Sequence, residues 1–93
     1  MSQQYTQRHP VGPYRDARTV AVGGAEDFVL DSGFTCQVET AGDLVYRTLL
    51  GTEDQTVRGL AVGDTITGPG GIPVVLRAIR ASSTVTSVVI GCN

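Results

Sequence analysis

The stretch 64–89, "DTITGPGGIPVVLRAIRASSTVTSVV", decides how the whole chain is read. It places a Gly-Pro-Gly-Gly cluster directly before a run of apolar and β-branched residues. A phosphate-cradling loop needs G-x-x-x-x-G-K-[ST] running from a strand into a helix, so that backbone N–H groups and a lysine meet the anion. "TGPGGIPVVL" has no lysine, and Pro73, Val74 and Val75 favour extended chain over helix. A dinucleotide fingerprint fails for the same reason, because its glycines must open a helix. The cluster is a turn between strands.

Working outward, short β-prone pieces rich in Val and Thr are closed again and again by Gly, Asp or Ser, the cadence of a small antiparallel fold. The first two pieces are 19–22 and 27–30. Phe34, Cys36 and Val38 then alternate with Thr35, Gln37 and Glu39, which predicts a strand with one apolar and one polar face. "TAGDL" at 40–44 reads as a tight hairpin connection to a partner strand over 44–50. "GTED" at 51–54 turns the chain into a strand over 55–61, and "VGD" at 62–64 turns it into a short piece over 65–67. The stretches 72–81 and 84–90 form a final hairpin through Ser82 and Ser83. The expected class is all-β: a small antiparallel β-barrel or β-sandwich over 17–93, with no helix. Both final stretches are apolar on two faces, more than so small a domain can cover alone. A neighbouring subunit or host surface over the second face is expected, the alternative being a hairpin that runs through the middle of a closed barrel with one face less polar.

Residues 1–16 carry Pro10, Gly12 and Pro13 among Gln and Arg, with no apolar period. They read as an extended N-terminal arm, stretched because each proline disfavours helical geometry in the residue before it. Tyr5 and Tyr14 lie beside Arg8 and Arg15, a mixture enriched at protein interfaces.

With 93 residues the chain is one thinly cored domain. Its net charge of −2 supplies no field for nucleic acid, and all its basic side chains are Arg, suited to fixed contacts in packed interfaces. No run approaches the about 18 apolar residues of a membrane span, and the start lacks the apolar core of a signal peptide. A cytoplasmically made protein without membrane contact is expected. Cys36 and Cys92 form no CxxC pattern and read as free thiols, a bridge between them being the alternative.

No catalytic set can be assembled. The only histidine, His9, lies in the arm, and a nucleophile needs a base within reach. The pairs Glu26/Asp27 and Glu53/Asp54 are chain neighbours, which point apart on a strand or sit solvated in a turn. Asp31, Glu39, Asp43 and Asp64 lack calcium-loop spacing. No enzyme activity, cofactor or metal is expected. The absence of Trp, with only three Tyr, weakens carbohydrate binding, although a small β module binding a glycan is the rival reading.

From Phe34 onward the chain resembles the small head-spike base and head-decoration proteins of tailed bacteriophages and gene transfer agents. The matching stretches are "TAGDL" at 40–44, "LAVGDTI" at 60–66, "GIPVVLRAIRAS" at 71–82 and "STVTSVVIG" at 83–91. Ser82 and Ser83 depart from the usual Thr-Gly turn, and "TGPG" lengthens the segment before Ile72. The resemblance implies a non-enzymatic capsid decoration, cement or spike-base protein on the exterior of a virion. It would act as a homo-oligomer, a trimer or pentamer, against a major capsid protein or a spike or fibre. Together with the arm residues Tyr5, Arg8, Tyr14 and Arg15, the strand residues Arg77, Ile79 and Arg80 are the expected partner interface.

Overall fold

The computed structural model describes residues 16–92. Tyr5, Arg8, His9, Tyr14 and Arg15 lie outside the described residues. Six strands follow in chain order: β1 (Asp16–Ala21), β2 (Phe28–Val38), β3 (Gly42–Thr48), β4 (Gln55–Leu60), β5 (Leu76–Ile79) and β6 (Ser87–Cys92). They form one antiparallel sheet in the order β1-β6-β2-β5-β3-β4. The all-β class expected from the sequence holds, but the sheet is open and not closed into a barrel. Asp16, assigned to the arm by sequence, is already strand and pairs with Cys92.

The pieces expected at 27–30 and 34–38 are a single strand. β2 pairs with β5 through Phe28, Val29 and Phe34 and with β6 through residues 35–38. Its register against β5 shifts between Val29 and Phe34, and Gly33 there has φ +93°, a backbone geometry that L side chains rarely adopt. The bend folds the sheet around its core. Phe34, Cys36 and Val38 of β2, Leu44 and Tyr46 of β3, Leu76 and Ile79 of β5, and Val88 and Ile90 of β6 close that core, with Ile66 and Val85 from the connections. Each fully buried aliphatic side chain contributes about 1.5–3 kcal/mol relative to exposure. In β5 a second register shift, around Arg77 opposite Arg47 and Thr48 of β3, lets both Leu76 and Ile79 enter the core.

Two expected hairpins are not formed. β2 and β3 are not neighbours, so "TAGDL" is a crossing past β5, which lies between them, and the final two strands lie on either side of β2. Segment 80–85 is held along β3 instead: Arg80 N–H donates to Val45 O, Thr84 and Val85 N–H both donate to Asp43 O, and Ser83 Oγ accepts from Val45 N–H. These bonds carry the chain past β3 and deliver β6 to the far edge of β2. The hairpin expected at "GTED" does form, joining β3 to β4. The piece at 65–67 is reduced to bridges, Gln37 with Thr65 and Thr67 with Pro73.

The glycine cluster of 68–71 is the tip of a small loop closed on itself. Gly68 N–H donates to Ile72 O at 2.7 Å, Gly71 N–H to Gly68 O at 3.1 Å, and Val74 N–H to Ile66 O at 3.2 Å. Gly70 and Gly71 both take positive φ. Those donors are spent on the turn's own carbonyls, and no helix follows them.

Gly33 is the sharpest test of this architecture. A Cβ placed there falls 2.7 Å from Val75 Cγ1 as well as forcing an unfavourable φ. Gly33→Ala is expected to cost about 2 kcal/mol, measured as a lowered urea midpoint with an unchanged slope.

Candidate functional site

Two carboxylates that sequence analysis singled out, Asp27 and Asp54, and the expected interface residue Arg80 belong to an ionic clasp at one end of the sheet. Arg80, just past β5, directs Nε to Asp54 Oδ1 at 3.1 Å and Nη1 to Asp27 Oδ2 at 3.0 Å. Arg47 of β3 reaches the same Asp54 oxygen at 3.1 Å, and Ala81 N–H donates to Asp27 Oδ1 at 2.7 Å. Three separate parts of the chain are tied together: the approach to β2, the β3–β4 turn and the exit from β5. The bond from Ala81 N–H, followed by that from Arg80, holds the Asp27 carboxyl below its ordinary value of 3.8. The bonds to Asp54 and Asp27 in turn push the Arg80 guanidinium above its usual range.

The strand residues expected at a partner interface are therefore separated by the fold. Ile79 is fully buried in the core beside Phe28 and Tyr46, so it offers no surface, which corrects the sequence expectation. It faces inward because the shift at Arg77 resets the alternation of β5. Arg80 is engaged by two carboxylates. Arg77 is half-buried, and among the described residues no ion pair includes it.

What sequence reading missed is the outer face of β1, β6 and β2. Residues directly opposite one another share a face. One row is Ala17, Gly91 and Thr35; the next is Thr19, Val89 and Gln37, continued by Thr65; a third joins Ala21 to Ser87. Gln37 Nε2 donates to Gly63 O at 3.1 Å, and Ser87 Oγ donates to Glu39 Oε1 at 2.7 Å. The face is small-featured, with Glu39 at its margin as its charged group. A cleft of about 320 Å³ lies over it between Ala17, Thr35, Thr65 and Pro73, and another of about 490 Å³ between Thr40, Val62 and Ser87, with Gln37 and Val89 lining both. Val62 (69% exposed) borders the second cleft, and Ile72 (64% exposed) adjoins Pro73 of the first. The sequence signal was present in the alternation of Thr35, Gln37 and Glu39, but the partner strands that complete the face come from both ends of the chain.

Asp43 serves the fold in the same manner as the clasp. Its Oδ1 accepts from Gly59 N–H at 2.9 Å, its N–H donates to Thr84 Oγ1 at 2.7 Å, and Arg58 approaches at 3.4 Å. Cys36 and Cys92 are both free thiols. Burial pushes the Cys36 thiol up to about 12, whereas Cys92 is half-buried at the end of β6. Among the described residues no group of three or more His, Cys, Asp or Glu side chains gathers as a metal site, and no helix is long and apolar enough to cross a membrane. Comparison with protein families, curated proteins and solved structures finds no match to this chain.

Two outcomes follow. The contacts of Asp27 stabilise the fold above its unfolded value near 3.8 and are lost as pH falls through its lower folded value. Wild type is thus expected to lose more stability than Asp27→Asn between about pH 5 and about pH 2, as read by denaturant titration at each pH. Because the thiolate is the reactive form, an alkylating reagent should label Cys92 in the native protein and Cys36 only after denaturant is added, as read by mass spectrometry.

Proposed function

We propose that this chain is a structural component of a tailed-phage-type particle, a homo-oligomeric capsid decoration or spike-base protein that acts by burying surface. The observation that carries the reading is the outer face of β1, β6 and β2, a platform of small, mostly uncharged side chains flanked by exposed Val62 and Ile72. Interface centres are depleted in charge, and this face, with its two clefts, offers a partner little charge to desolvate. The charged groups support the same reading, since Asp27, Asp54, Arg47 and Arg80 bind one another and steady the scaffold. The resemblance of 34–91 to head-spike base proteins supplies the kind of particle.

The test is cosedimentation of the purified chain with phage heads assembled without it, alongside native mass spectrometry. The expected result is saturable binding to heads and more than one copy per assembly. A chain that leaves heads bare, stays single and instead binds an arrayed glycan overturns the reading in favour of a ligand-binding module.

A further inference from the structure

Among the described residues the sheet has two terminal edges, and they differ. β4 is bulged against β3 between Leu60 and Val57, and Asp43 clasps Gly59 beside the exposed Arg58. Bulges and charge are the devices that keep an edge strand from recruiting another. β1 has neither. It is six regularly paired residues, "DARTVA", without Gly, Pro or Lys.

Its hydrogen-bonding parity follows from one bond. Val22 N–H donates to Thr86 O at 3.0 Å, continuing the β1–β6 register. In an antiparallel pair the bonded residues alternate, so Val20, Arg18 and Asp16 bond toward β6. Ala17, Thr19 and Ala21 then turn their N–H and C=O groups to the open edge. Their side chains are small, and nothing on them blocks an approaching strand.

We infer that two copies of this chain pair antiparallel through their β1 edges, about a two-fold axis at Ala17. The parity requires an odd residue opposite an odd residue, and charge selects among the registers that satisfy it. An axis at Arg18 sets like charges face to face, and one at Thr19 sets Arg18 against Val20. Only the axis at Ala17 places Asp16 of each copy opposite Arg18 of the other, twice over, as a two-fold contact requires. The same register makes the two outer platforms continuous. A two-fold contact builds even-numbered assemblies, where the resemblance implied three or five copies. The inference deepens the homo-oligomer reading and names its contact.

The experiment is a charge exchange, read by native mass spectrometry and sedimentation with increasing concentration, with circular dichroism to check folding. Wild type is expected to form pairs that weaken as salt rises. Asp16→Arg alone and Arg18→Asp alone should each shift the protein at least tenfold toward monomer. Mixing the two variants should restore pairing, now between unlike chains, because each introduced charge meets its opposite. A wild type that stays single at every concentration overturns the inference, as does a wild type that pairs while both variants pair equally well, or a mixture that stays monomeric. Head binding is measured separately: a wild type that stays single yet binds heads defeats this contact and leaves the structural role standing.

Discussion

The bend of β2 at Gly33 is the constraint on which the rest of the molecule depends. Before it, β2 belongs with β5; after it, with β6. One strand thereby joins both halves of the sheet and lays Phe34, Cys36 and Val38 across the middle of the core. A straight strand of the same composition would leave the halves coplanar, with those side chains facing water. The bend needs a residue without a Cβ, because Val75 and Leu49 crowd the place where one would sit.

Around that bend, polar side chains act as ties between parts of the chain that share no ladder. Arg80 joins Asp27 to Asp54, Asp43 gathers β4 and the segment before β6, and Thr40 accepts from Thr86 and Ser87 N–H. Each exposed pair alone contributes little. Their value lies in fixing where irregular connections run, which a thin core cannot do by burial alone. The outer platform stays charge-poor because these charges are used at the ends and seams.

The class of fold, most strand positions and the β3–β4 hairpin were legible in the sequence, because period-2 alternation and turn chemistry are local. Topology was not. "TAGDL" and the Ser82–Ser83 link carry ordinary hairpin chemistry, yet both are crossings, since the bonds from Asp43 and Val45 to 83–85 prevail over the local preference for turning back. Ile79 was expected at an interface because its stretch is apolar on both faces, and the one-residue slip that turns it into the core is invisible in composition. The outer platform could not be read either, for its rows are assembled from residues 17–21, 35–39 and 87–91.

The pairing of Asp16 with Cys92 also sets the order of events during synthesis. β6 must be made before β1 can find its place, so β1 waits while the β3–β4 hairpin, formed from neighbouring residues, can close at once. Ladders that join distant parts of a chain form slowly, because loop-closure entropy must be met before they gain any contact. β1 is thus made early and placed late, and until β6 emerges the edge of β2 that β6 will cover stays open.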